Sequence, residues 1–294
     1  MGLGRILTAM VTPMNDQLEV DYEETKRLAT YLVEHGSDGI VVSGTTGESP
    51  TLTTEEKLEL FKVVKETVGK NVTVIAGVGS NNTASSVALA RQASQTGVDG
   101  LMAVVPYYNK PTQEGMYQHF KAIAEATPLP ILLYNVPSRT SVNMQPETVL
   151  RLSEIPNIVA LKEACGVMDQ VSELKRILPE DFEIFSGDDS LTLPMLALGC
   201  SGIISVASHV VGDEMKKMVD AWYDGDTQTA LEWHLKLMPV FRGIFVTANP
   251  IPIKFLVNAI GLNAGKARLP LVDATSEQQK FLIELLKKVK EPNQ

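Results

Sequence analysis

Only two cysteines, Cys165 and Cys200, occur in 294 residues. That is too few for a disulfide framework, and they lack the paired spacing of a zinc site, so reduced thiols packed as small hydrophobes are expected. Positive charge is also scarce: 26 Lys and Arg against 35 Asp and Glu give a formal net charge of -9, with no basic run. Such a chain offers no electrostatic footprint for a phosphate backbone, which excludes nucleic acid as a partner. No stretch approaches the about 18 uninterrupted apolar residues of a membrane span, and residues 1–5 lead into an apolar segment without a cleavage-type sequence. No membrane association and a cytoplasmic location are expected. The four histidines, His35, His119, His209 and His234, are too scattered to suggest a metal site. What remains is 44% hydrophobic and 21% charged, an ordinary globular composition in a chain long enough to bury a large core.

Apolar runs recur at residues 6–14, 39–43, 72–78, 101–105, 131–135, 158–164, 183–186 and 202–206. Each is followed by a segment of helical character, at 21–35, 54–68, 84–96, 113–126, 146–153, 168–177, 191–198 and 213–223. Thr53 with Glu56 forms a capping-box pair, and Gly36, Gly97 and Gly199 stand where helices should stop. The strands are continuous rather than alternating apolar runs, as a parallel sheet covered by helices requires. Eight strand–helix units predict an α/β fold, a (β/α)8 TIM barrel. A doubly wound open sheet is the rival, but the nearest glycine fingerprint, Gly77-Val78-Gly79-Ser80-Asn81-Asn82, lacks its last glycine. After Gly225 three helical segments follow without a strand, at 227–246, 250–259 and 276–289. The expected organisation is a catalytic barrel over 1–225 and a C-terminal three-helix region over 226–294. Asn249 is expected to cap the second of these helices, with Pro250 in its first turn, and Pro239 to kink the first.

The run Val159-Ala160-Leu161-Lys162-Glu163-Ala164 carries one lysine on the face a strand should bury. A buried ammonium loses its proton near neutral pH and becomes a nucleophile for carbonyls, whereas an ion pair with a carboxylate would leave it structural. Period two sends Glu163 to the opposite face, toward the helices. In a barrel the chemistry belongs at the carboxyl ends of strands. There the sequence places Gly44-Thr45-Thr46-Gly47-Glu48, able to hold a carboxylate, then Tyr107 and Tyr108, then Tyr134 and Arg139. Together they describe a pocket for a carboxylate-bearing carbonyl compound.

These stretches, with Pro106-Tyr107-Tyr108-Asn109-Lys110-Pro111, Tyr134-Asn135-Val136-Pro137-Ser138-Arg139-Thr140, Leu161-Lys162-Glu163 and Ser186-Gly187-Asp188-Asp189, resemble the dihydrodipicolinate synthase family over essentially the whole chain. The wider superfamily includes N-acetylneuraminate lyase. The resemblance implies condensation of pyruvate with aspartate 4-semialdehyde on Lys162 through a Schiff base, the first committed step toward diaminopimelate and lysine, with no external cofactor and no metal. It implies a proton relay of Tyr134, Thr45 and Tyr108, the last reaching in from a neighbouring subunit. It also assigns Thr45 and Thr46 to the pyruvate carboxylate, Arg139 to the semialdehyde carboxylate, Gly187 and Ile204 to backbone contacts near the imine, and Tyr107 to the dimer interface. A homotetramer built from two tight dimers is implied as well.

A sister aldolase acting on a sugar acid would keep Lys162 and Tyr134 without needing Arg139, and a non-catalytic barrel binding a keto acid would need no intact lysine and relay. Lysine inhibits some relatives in a cleft at the dimer interface. This chain has Ser85 where a carboxylate is usual there, Thr54 and Lys57 at histidine places, and Pro50 at a small-residue place, so weak or absent inhibition is expected.

Overall fold

The computed structural model describes residues 2–290. Residue 1 and residues 291–294, the end of the expected C-terminal region, lie outside the described residues. In chain order the elements are β1 Ile6–Ala9, α1 Tyr22–Glu34, β2 Gly39–Val42, α2 Thr54–Val68, β3 Thr73–Gly77, α3 Thr83–Ala93, β4 Gly100–Val104, α4 Gln113–Ala124 and β5 Ile131–Asn135. They continue with α5 Pro137–Thr140, α6 Pro146–Ser153, β6 Ile158–Glu163, α7 Met168–Ile177, β7 Glu183–Ser186, α8 Thr192–Ala197, β8 Gly202–Ser205 and α9 Ser208–Tyr223. Three more helices follow: α10 Thr227–Gly243, α11 Ile251–Ala259 and α12 Ser276–Lys290. The strands are all parallel, and β1 pairs with both β2 and β8, so the sheet closes as a TIM barrel and the open-sheet rival is excluded.

Closure creates two cores, because alternate residues of every strand point inward or outward. Leu7, Val41, Ile75, Leu132, Phe185 and Ile204 fill the lumen, while Ile6, Ile40, Leu133, Leu161 and Ile203 face the helices. Burying each such side chain is worth about 1.5–3 kcal/mol, so the lumen is packed core, and ligands are confined to its C-terminal mouth. Local signals set many helix starts. Thr53 and Glu56 form the expected reciprocal capping box on α2, and Asp21, Asn82 and Thr112 cap α1, α3 and α4. Gly36 takes the left-handed conformation just past α1, with φ 94°.

The structure departs from the sequence reading at β1, which ends at Ala9 rather than at residue 14, and in four other places. A short helix, α5, follows β5, with Pro137 supplying a preset φ in its first turn. Helix α9 starts at Ser208 rather than 213, with a break in helical geometry at Val211 (φ -131°, ψ 32°). Helix α10 runs unbroken through Pro239, which is exposed, as is Leu235, whose carbonyl the proline leaves without a helical partner but within reach of water. Asn249 does not cap α11: Pro250 holds that position, and the Asn249 carboxamide instead donates to Thr46 across the barrel mouth.

That contact is one of several tying the C-terminal helices to the barrel. Lys254 of α11 pairs with Glu48 at 2.8 Å, both side chains almost fully buried. The Arg268 guanidinium bonds to both Glu56 oxygens and to the carbonyls of Leu18 and Thr51. Lys290 of α12 reaches Glu214 of α9 at 2.9 Å.

Candidate active site

Strand β6 lies between β5 and β7, and its register sets Lys162 beside Tyr134 on one side and Phe185 on the other. Lys162 is 5% exposed, and its amine sits 4.4 Å from the centre of the Tyr134 ring. Among the described residues it has neither a carboxylate within ion-pair distance nor a hydrogen-bond partner. The other buried lysine shows what an ion-paired one looks like: the Lys254 ammonium donates to Glu48 and to the carbonyls of Thr12 and Lys266. Burial without such partners pushes Lys162 down to about 8; the carboxylate of Asp189 opposes that shift and the Arg139 guanidinium adds to it.

Gly187, just past β7, is where this lysine needs space. A Cβ there would stand 2.7 Å from Ala164 Cβ and 3.2 Å from Lys162 Cε, so a side chain would force Ala164 to shift and would crowd the lysine. Tyr134 is itself buried, and burial raises its phenol, offset by the Arg139 guanidinium and by a hydrogen bond with Thr45. A phenol enclosed beside an amine is chemically able to take up and release a proton.

Thr45 and Thr46 stand in the turn after β2, whose backbone enters the left-handed region at Ser43 and Glu48, both at φ 56°. Such residues cost on the order of 1 kcal/mol each and persist only when their surroundings hold them. Here Thr12 Oγ1 donates to the Gly47 carbonyl at 2.7 Å, while Lys254 and the Arg268 N–H both donate to the Glu48 carboxylate at 2.8 Å. The turn is thus fixed from two sides.

Lys162, Tyr134, Thr45, Thr46, Arg139 and Gly187 all line one cavity of about 200 Å³ at the C-terminal mouth. Six of the nine residues singled out in the sequence therefore converge. Ile204 lies below them, buried in the lumen in register with Leu7. Tyr107 borders a second cavity, of about 240 Å³, that shares Thr45, Tyr134 and Arg139 with the first and also touches Ser49 and Lys57. Tyr108 lines neither: at φ 71° its side chain is 89% exposed.

Glu163 faces the helices as period two requires, accepting from Asn135, Gln170 and the Cys165 N–H. Burial pushes the Cys165 thiol up to about 12, with Glu163 adding to it, and Cys200 likewise, which holds both as thiols near neutral pH. His209 Nε2 accepts from the Val11 N–H at 3.1 Å, so Nδ1 carries the proton and donates to the Val206 carbonyl at 2.8 Å. Burial lowers that ring to about 4, and it stays neutral as a strut.

Two residues of this region were missed from sequence. Asp189, though part of a quoted motif, had no role. It is buried, accepts from Ser205 Oγ and from the N–H groups of Val206 and Ala207, and is raised to about 6 by burial; its bonds tie the segment after β7 to the end of β8. Asn249, which also lines the cavity, lies 203 residues from the threonine it contacts, and no local pattern could have paired them.

The chain was compared with known proteins. The model of the dihydrodipicolinate synthetase family matches residues 2–289. A 4-hydroxy-tetrahydrodipicolinate synthase from Desulforamulus reducens is 59% identical over 94% of this chain and 93% of its own. The crystal structure of dihydrodipicolinate synthase from Bacillus anthracis superposes with a TM-score of 0.97 at 48% identity, covering all of both chains. That from Cyanidioschyzon merolae, solved with lysine bound, gives 0.96 at 46% identity over 98% of each chain. A buried unpaired lysine between a tyrosine and a threonine turn, in a barrel that matches these enzymes from end to end, has one consistent classification: the chain belongs to the dihydrodipicolinate synthetase family.

Proposed function

We propose that this chain condenses pyruvate with L-aspartate 4-semialdehyde to 4-hydroxy-tetrahydrodipicolinate, the first committed step of diaminopimelate and lysine biosynthesis, through a Schiff base on Lys162. The observation that carries the reading is the lumen lysine itself, enclosed and unpaired. With a pKa of about 8, about one-tenth of the amine is free at pH 7, against roughly one part in three thousand for an ordinary lysine.

The free amine adds to the pyruvate ketone, and loss of water gives a protonated imine. The imine draws electrons from the methyl carbon, which releases a proton to become an enamine. That carbon then bonds to the aldehyde carbon of the second substrate, whose oxygen takes up a proton to become a hydroxyl. The substrate's own amine adds to the imine and displaces Lys162, closing a six-membered ring. Tyr134 and Thr45 move the protons, Thr45 and Thr46 hold the pyruvate carboxylate, Arg139 binds that of the semialdehyde, and the Gly187 and Ile204 backbone borders the imine.

A tight dimer completes the site, with Tyr108 extending the relay of its neighbour and Tyr107 stacking between subunits; the exposure of Tyr108 supports this. Two such dimers form a homotetramer, as the family resemblance implies. The catalytic unit is the 1–225 barrel, and the 226–294 helices brace its mouth. No described helix is long and apolar enough to cross a membrane.

Borohydride reduction in the presence of pyruvate tests the central step. One reduced pyruvate adduct per chain, mapped by peptide mass spectrometry to Lys162, is expected, and Lys162→Ala should fold yet carry none. Labelling elsewhere, or no labelling, overturns the mechanism.

A further inference from the structure

The register of β5 against β6 sets two side-chain pairs next to one another, Tyr134 beside Lys162 and Asn135 beside Glu163. Successive residues of a strand point to opposite faces, so the first pair looks into the lumen and the second, one residue on, faces the helices behind it. Asn135 and Glu163 are both fully enclosed. The Asn135 amide donates to both Glu163 oxygens, at 3.0 Å and 3.1 Å, and to Asn143 Oδ1 at 2.8 Å. Glu163 also accepts from the Cys165 N–H at 2.7 Å and from Gln170 Nε2 at 3.1 Å. Among the described residues no cation pairs with this carboxylate, and burial pushes it toward its neutral acid while these neutral donors oppose the shift. A buried network of this kind holds only while every member keeps its hydrogen-bonding type.

The polarity of the pair is set from outside. Asn135 cannot turn its amide over, because its Oδ1 accepts from the Met144 N–H at 3.0 Å. Its nitrogen must therefore face residue 163, which has to offer acceptors alone; an ionised carboxylate does so and a carboxamide does not. The network continues outward, since Asn143 donates to Gln170 of α7 at 2.7 Å and Gln113 of α4 donates to the Asn143 carbonyl at 2.8 Å. The ends of β5 and β6 are thus clamped to each other and to two helices, one residue past the point where the Lys162 amine sits 4.4 Å from the centre of the Tyr134 ring. Neither Asn135 nor Glu163 lines the cavity at the mouth. Building on the reaction proposed above, we infer that Asn135 and Glu163 are positioning residues, which hold Tyr134 and Lys162 in register for proton transfer through the polarity of their hydrogen bonds rather than through the volume they fill. A misplacement of about 1 Å between reacting groups costs about a hundredfold in rate, so a clamp one residue away is close enough to govern turnover.

The test uses the purified full-length enzyme, its Glu163→Gln and Asn135→Asp variants and the double variant that carries both. Glu163→Gln keeps the volume but sets one amide nitrogen against another. The double variant exchanges the two roles: the new amide donates, the new carboxylate accepts from it and from the Met144 N–H, and the amides of Asn143 and Gln170 can turn over to match. Borohydride trapping of pyruvate counts the folded sites, and kcat is expressed per trapped site. In Glu163→Gln, kcat per trapped site should fall about ten- to a hundredfold, while the pyruvate KM stays within about threefold of native. The double variant should return to within about fivefold of native, because the two changes act on one shared contact. A merely structural role predicts fewer trapped sites and a lower Tm with unchanged kcat per remaining site, and that result overturns the inference. Losses that simply multiply in the double variant overturn it too, as does a double variant that does not fold. If neither single variant folds, turnover of the double variant decides alone, by the same margin. Absence of trapping in the native enzyme defeats the reaction mechanism, whereas normal trapping beside unchanged turnover in Glu163→Gln defeats only the clamp.

Discussion

Lys162 and Lys254 are both enclosed, at 5% and 2% exposure, yet among the described residues three acceptors meet Lys254 and none meets Lys162. The unpaired lysine is therefore a stability liability. Its folded-state pKa of about 8 lies below the ordinary 10.5, so the unfolded chain binds the proton more tightly. The penalty is full below pH 8 and fades as pH rises from about 8 to 10.5. Lys162→Met should accordingly raise the Tm at pH 7, and scanning calorimetry should show the gain shrinking toward pH 10.5. The same titration governs reactivity: pyruvate trapping by the native enzyme should accelerate with pH through about 8 and then level, because only the free amine attacks. Tyr134→Phe removes the proposed proton carrier without emptying the lumen. Steady-state turnover should fall roughly a hundredfold or more, while pyruvate trapping suffers less.

The β2 turn shows how elements distant in sequence hold a reactive geometry. One of its two left-handed residues, Glu48, is held by the C-terminal helices through the Glu48–Lys254 pair. Breaking a buried pair strands the surviving charge, at about 3–5 kcal/mol, whereas removing both partners is far milder. Lys254→Met should therefore destabilise the enzyme strongly in urea unfolding, and Lys254→Met with Glu48→Leu should recover most of the loss. An additive double variant would mean that the pair does not brace the turn. Strand and helix identities along this chain were legible because apolar periodicity and caps such as Thr53–Glu56 act over a few residues. The misplaced cap at Asn249 has the opposite cause. Asparagine before proline fits a helix start locally, but the partner that wins its amide lies across the barrel mouth.

At the scale of the whole molecule, the exposed Tyr108 is the residue a single chain does not use. Mixing inactive Tyr108→Phe and Tyr134→Phe proteins under subunit exchange should restore partial activity, because some hybrid sites regain an intact relay. No rescue despite proven exchange would place Tyr108 in its own subunit's site. The second cavity, beside Tyr107, bears on feedback. Lys57 lines it, and burial holds that ammonium below its ordinary value, while Ser85 and Thr54 are exposed and uncharged. A diammonium ligand such as lysine meets like charge there and lacks a carboxylate at the Ser85 position. Millimolar lysine should leave the initial rate essentially unchanged with both substrates near half-saturation. Strong inhibition at submillimolar lysine would refute this account of the cleft.

Barrel class, strand order and the residues carried on one mouth were determined by sequence alone. Strand periodicity fixes which side chains share a face, so Lys162 had to point inward and Glu163 outward. Tertiary structure decided which buried charges find partners. Whether Lys162 or Lys254 stayed unpaired depended on Glu48, 206 residues from Lys254, coming to lie beside it once the helices folded over the mouth. The contact of Asn249 with Thr46 and the tie of Asp189 to Ser205 arise in the same way. Each rests on hydrogen bonds whose two ends become neighbours only when the sheet closes, and no local propensity encodes such a meeting.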